Sequence, residues 1–197
     1  MNNLLKISLF VVFLLTSADV MSKDRDFSVS FGNVNSKTLS FEVNNAQNIS
    51  LFVYNDNEGE IYSEKIGDQN FISKSYNLET LTDGTYYLVA ESDYKIEKYK
   101  ISIQNKNLMV EKTPVTEINK PEFTINDNIV KLSMEGIEGS VNISVQDFSD
   151  NVYYSETKFA KDGKLNLTFK LDPKTSSSYI IAVEKGGNIF SKVIALK

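Results

Sequence analysis

Three residue types are missing from this 197-residue chain: histidine, cysteine and tryptophan. Without imidazole there is no histidine general base and no histidine-ligated metal. Without thiol there is no cysteine nucleophile, thiolate metal site, disulfide or lipobox attachment. The missing indole removes one sugar-stacking platform, although 10 Tyr and 12 Phe remain. Concentrated positive charge is absent too. The net charge is −5, and the lysines are spread among acids as on a solvated surface. A nucleic-acid partner, whose phosphates require clustered Lys and Arg, is therefore not expected. No cofactor is expected either, and most familiar catalytic constellations cannot be assembled from what remains.

Hydrophobic residues make up 41% of the chain, enough to fill one large core or two small ones. The first 22 residues carry the pattern of a secretory signal peptide. Lys6 supplies the positive end, Ile7–Leu15 is an apolar run, and Thr16-Ser17-Ala18 offers small residues at a cleavage site. Val20-Met21-Ser22 is a second choice. The apolar run is about half the roughly 20 residues a membrane span needs. Export is the expectation, to the periplasm, the cell surface or the medium, with no membrane span after cleavage. Without disulfides, the exported domains must hold together by apolar burial alone.

Period-2 alternation dominates the rest. Phe27–Phe31, Thr38–Asn44 and Ile49–Asn55 read as strands, and Asp56-Asn57-Glu58-Gly59 reads as a turn. Strands follow at 60–66, 71–78, 86–91 and 96–103. No segment keeps a 3.6-residue period, so the fold class expected is all-β. Residues 105–121 contain Pro114 and Pro121, two of the chain's 3 prolines, and suit a linker packed against one domain.

From Glu122 the pattern restarts. Val141, Ile143 and Val145 repeat Ile49, Leu51 and Val53 at a spacing of 92. Tyr154-Ser155-Glu156 repeats Tyr62-Ser63-Glu64 at the same spacing. Tyr179, Ile181 and Val183 repeat Tyr86, Leu88 and Ala90 at 93, and Ile189, Ile194 and Leu196 repeat Ile96, Ile101 and Ile103 at the same distance. A register held across most of a domain indicates two copies of one module. The expected organisation is two tandem β-sandwiches of immunoglobulin or fibronectin type, at 27–104 and 122–197, joined by 105–121. Leu81-Thr82-Asp83-Gly84-Thr85-Tyr86 fits a tyrosine corner, with Tyr179 as its second-module counterpart.

Ile49-Ser50-Leu51-Phe52-Val53-Tyr54-Asn55, then Gly59, Leu78, Leu81, Gly84, Tyr86 and Leu88 carry a family likeness. Over residues 39–103 the chain resembles the immunoglobulin-like C-terminal sorting domain of type nine secretion system cargo in Bacteroidota. The resemblance implies an immunoglobulin-like sandwich and a role in addressing cargo. In that family the sorting domain is C-terminal, whereas here the match lies in the first module.

Several clusters could carry chemistry. Asp56, Glu58 and Glu60 flank Gly59, and Asp147 and Asp150 lie at the second module's hairpin, but neither set completes a calcium loop. Acidic turns also arise for backbone reasons alone. Paired carboxylates for glycoside hydrolysis find no cleft-forming insertion, so no enzymatic role is expected. The sequons at Asn48, Asn142 and Asn166 are idle in a bacterium. The outward face of the first module is more informative. If Ile49, Leu51 and Val53 point in, then Phe52 and Tyr54 point out; likewise Tyr87 and Val89. The second module has Ser144, Gln146, Ile180 and Ala182 at these places. Phe52, Tyr54, Tyr87 and Val89 are thus the candidate partner or ligand surface. Its partner would be a protein or a cell-surface polymer, including a carbohydrate or peptide. The competing reading has the N-terminal segment or Leu108–Val110 covering that face.

Overall fold

The computed structural model describes residues 27–32, 37–57 and 59–196. The expected signal peptide and Glu58 lie outside them. The described residues form two compact units, the first ending at Lys120 and the second beginning at Pro121. All regular elements among them are β-strands, paired antiparallel.

The first unit contains β1 (Ser28–Phe31), β2 (Thr38–Asn44), β3 (Ile49–Asn55), β4 (Gly59–Ile66), β5 (Phe71–Asn77), β6 (Gly84–Glu91) and β7 (Lys95–Gln104). Two further strands follow, β8 (Asn107–Val110) and β9 (Thr116–Asn119). A 3-stranded sheet in the order β1-β2-β5 faces a 6-stranded sheet in the order β4-β3-β6-β7-β8, with β9 also paired to β7. The fourth strand joins the third, which departs from the constant-type immunoglobulin division of strands. Alternation decides what is buried. Leu39, Phe41 and Val43 of one sheet and Ile49, Leu51, Val53, Leu88 and Ile101 of the other are 0–1% exposed. Removing a buried leucine such as Leu51 costs about 2–5 kcal/mol.

The second unit contains β10 (Glu122–Asn126), β11 (Ile129–Met134), β12 (Ser140–Gln146), β13 (Val152–Phe159), β14 (Leu165–Lys170), β15 (Ser178–Lys185) and β16 (Asn188–Ala195). Its sheets run β10-β11-β14 and β13-β12-β15-β16, the same division as in the first unit. The copies share detail as well as order. Each third-and-fourth strand pair carries a register shift at the same place, between Val53 and Tyr54 and between Val145 and Gln146. Both expected tyrosine corners are present. The Tyr86 hydroxyl donates to the Thr82 carbonyl at 2.9 Å and that of Tyr179 to the Asp172 carbonyl at 2.7 Å.

Three features add to the expected organisation. Residues 105–121, expected as a linker packed against one domain, do lie against the first unit, and they do so as strands, with β8 and β9 paired to successive halves of β7. They behave as one edge strand broken around Pro114, which has no N–H to contribute to a ladder. Ile189 is 70% exposed. Its counterpart Ile96 lies on the outer face of β7, where Lys95, Glu97, Tyr99, Ile101 and Ile103 are the buried positions. The second unit's outer face carries apolar residues as well. Phe159, Val152, Ile189 and Val193 are exposed around a centre of Ser144, Ser155, Ala182 and Ser191.

Candidate functional site

The four residues expected on the outer face of the first unit do come together. Phe52 stands directly opposite Val89, and Tyr54 opposite Tyr87, across the β3–β6 ladder. Directly opposite residues share a face, so the four form one block. All four are half-buried. The Tyr54 and Tyr87 rings lie 5.3 Å apart, tilted by 30°.

A residue that pattern reading passed over completes the block. Lys98 of β7 pairs with Val89, and its Nζ sits 3.7 Å from the Tyr87 ring centre and 4.7 Å from that of Tyr54. An ammonium over an aromatic face at a surface site contributes about 0.5–1 kcal/mol. The alternation of β7 already puts Lys98 beside Tyr87 and Val89, so the signal was present once the β6–β7 hairpin was drawn. Charges border the block: Lys100 pairs with Glu111 at 3.4 Å and Lys120 with Glu91 at 2.6 Å. The linker does not cover it. Leu108 turns into the core, while β8 and β9 widen the sheet beside the aromatic block. The arrangement is a broad sheet face offering ring edges, aliphatic stems and a movable positive charge.

A second feature was missed. β4 and β5 are edge strands of opposite sheets, and a cavity of about 520 Å³ opens between them. Residues facing Leu51 and Val53 on β4 are Glu64 and Tyr62, and those facing Phe41 and Leu39 on β5 are Lys74 and Tyr76. Glu64 is ion-paired with Lys74 and accepts from the Tyr62 hydroxyl at 3.1 Å and the Tyr76 hydroxyl at 3.4 Å. Lys74 foremost, with the two phenols, holds the Glu64 carboxyl below its usual range against the effect of desolvation. Burial pushes the Tyr76 phenol up, reinforced by the nearby Tyr62 and Glu64. The ring centres of Tyr62 and Tyr76 are 4.7 Å apart. Alternating charge and aromatic residues on edge strands read as solvated positions, which hid the cavity.

The second unit's acidic hairpin is satisfied internally. Asp147 Oδ1 accepts from the backbone N–H of Ser149 and Asn151, and Oδ2 accepts from Asn151 Nδ2 and the Tyr153 hydroxyl. Four donors occupy both oxygens. Those from Asn151 and Tyr153 bring the Asp147 carboxyl down to about 2. Among the described residues no cluster of three metal-ligating side chains occurs.

No protein-family model matches the chain, and no curated protein matches it. Among solved structures, one described as "Biofilm associated protein - BSP domain" aligns at 16% identity with a TM-score of 0.27. The alignment covers 85% of this chain and 29% of that one, so the chain spans under a third of that structure.

Proposed function

We propose that this protein is an exported, non-enzymatic tandem β-sandwich of the bacterial cell envelope. In this reading its first unit docks a protein or cell-surface polymer through the outer face of the 6-stranded sheet. The observation that carries the reading is the aromatic block of Phe52, Tyr54, Tyr87 and Val89 under Lys98. Contiguous apolar area on a soluble domain usually marks an interaction surface, and tyrosine is among the residues that dominate such contacts. The chemistry of the chain supports the non-enzymatic half of the proposal. Carboxylates are the only strong proton acceptors near neutral pH, and those at the hairpin and in the cavity are engaged by fixed donors.

The test is binding of purified protein to isolated envelopes, comparing wild type with the Phe52→Ser, Tyr87→Ser double variant. All four block residues are only half-buried, so the double variant is expected to keep its far-ultraviolet spectrum. Retention on envelopes should fall by roughly tenfold or more, equivalent to about 1.4 kcal/mol. Equal retention of a folded double variant would remove this face from the function.

A further inference from the structure

The two copies of the module differ at the cavity between β4 and β5, and the difference is directional. In the second unit the bulge residue is Tyr153, whose ring packs edge-on against Tyr179 at 5.3 Å and whose hydroxyl donates to Asp147 at 2.7 Å. The first unit has Ile61 at this place, 36% exposed and lining the cavity. The next inward residue is Tyr154 in one copy and Tyr62 in the other. Tyr154 is 8% exposed and packs edge-on against Phe169, whereas Tyr62 is 42% exposed. On the facing strand, registers equate Leu167 with Lys74 and Phe169 with Tyr76. The first copy thus has an amine and a phenol where the second has hydrocarbon.

Exchange of a plugging tyrosine for Ile61 opens the space, and exchange of hydrocarbon for polar groups makes its walls hydrogen-bonding. An opened space of about 520 Å³ lies within the range of small-molecule sites. Its charges cancel, because Glu64 and Lys74 already neutralise each other, so an ionic ligand would have to break that pair. Around that pair stand the Tyr62 ring, 42% exposed at the mouth, and the Tyr62 and Tyr76 hydroxyl oxygens, which donate to Glu64 and keep acceptor capacity. Beside them are the Asn77 amide, whose Oδ1 accepts from the Glu79 N–H and whose Nδ2 can still donate, the Thr80 side chain and, among the described residues, the outer backbone edges of β4 and β5. Groups that both donate and accept around one aromatic platform match a ligand with an apolar ring face and a rim of hydroxyls.

We propose that this inter-sheet cavity is a binding site for a neutral saccharide, with Tyr62 as the stacking platform and Tyr76, Asn77 and Thr80 contacting the hydroxyl rim. The site is separate from the outer-face block: Tyr62 and Glu64 lie on the inward side of β4, and Phe52 and Tyr54 on the outward side of β3.

Calorimetry and amide chemical-shift mapping with cellotetraose, chitotetraose, maltotetraose and mannotetraose, and with polygalacturonate as a charged comparison, test this. At least one neutral tetrasaccharide should bind and move amide signals within residues 59–66 and 71–81. Tyr62→Ala should weaken that binding by roughly tenfold or more, the scale of losing an aromatic contact. Ile61→Tyr, which restores the plug of the second unit without deleting any wall, should abolish it. Phe52→Ser with Tyr87→Ser should leave it unchanged, which separates this site from the envelope-docking face. Absence of binding by all four neutral sugars, preference for polygalacturonate, or binding indifferent to both cavity variants would overturn the proposal.

Discussion

Asn55 and Asp147 occupy the same place in two copies of one hairpin and differ by a charge. Each is 8% exposed and accepts from the backbone N–H two residues on, at 2.8 Å in both copies. In the first copy the amide then donates to the Thr85 carbonyl, while in the second the carboxylate collects donors from Asn151 and Tyr153. The Asp147 carboxyl is brought from 3.8 to about 2. A carboxyl depressed on folding contributes stability that is present above its unfolded value and lost as pH falls through its folded one. The loss from Asp147 therefore falls between about pH 4 and about pH 2. Tyr153→Phe removes one donor, so carboxyl titration by NMR should show Asp147 moving up toward its ordinary value; an unmoved titration would contradict the assignment. The corner tyrosines give a paired prediction. Tyr86→Phe and Tyr179→Phe should each cost about 0.5–1.5 kcal/mol in denaturant unfolding, the net worth of one hydrogen bond. Loss in only one of the two would show that the corners are not equivalent.

β7 is the element that alternation reads least well. Its buried side carries Lys95, Glu97 and Tyr99 before Ile101 and Ile103, so charge appears where hydrocarbon is expected. Lys95 Nζ reaches Glu97 Oε1 at 2.7 Å, Tyr99 donates to Glu97 Oε2 at 2.6 Å, and Phe27 lies 4.6 Å beneath the ammonium. Burial, helped by Glu97, pushes the Tyr99 phenol up. A buried ion pair often contributes little net stability, but removing one partner strands the other. Glu97→Ala should therefore cost about 3–5 kcal/mol, whereas Lys95→Met with Glu97→Leu should be near neutral or stabilising. A double variant as damaged as the single one would mean that the charges themselves hold β1 in place. Ile96 and Ile101 stand five apart, so on a strand only one can face inward, and a spacing match with Ile189 and Ile194 cannot say which. By contrast β3, β6, β12 and β15 were legible because three buried apolar residues alternate along each. β8 and β9 were hidden by their proline-bearing interruption. The cavity was hidden because it exists only where two edge strands from different sheets meet, which no local pattern encodes.

The two described units share strand order, a bulge and a tyrosine corner, and they differ on their outer faces and between their edge strands. Phe52, Tyr54, Tyr87 and Val89 were legible as one face because pairing on alternating strands follows from the repeat itself, while Lys98 needed the hairpin register. The proposed export makes a prediction at this scale. Intact mass from cell fractions should correspond to residues 19–197 or 23–197 in the periplasm or at the surface. A full mass from Met1 would contradict export, and loss of residues 122–197 would assign the second unit a sorting role instead. The central claim is that the aromatic face of the first unit is engaged in the envelope. Tyrosine-directed chemical footprinting tests it most directly, by comparing the purified protein with the protein in its native envelope. Modification of Tyr54 and Tyr87 should drop in the envelope, with Tyr94 and Tyr153 as internal references. Equal modification of Tyr54 and Tyr87 in both settings would contradict the account.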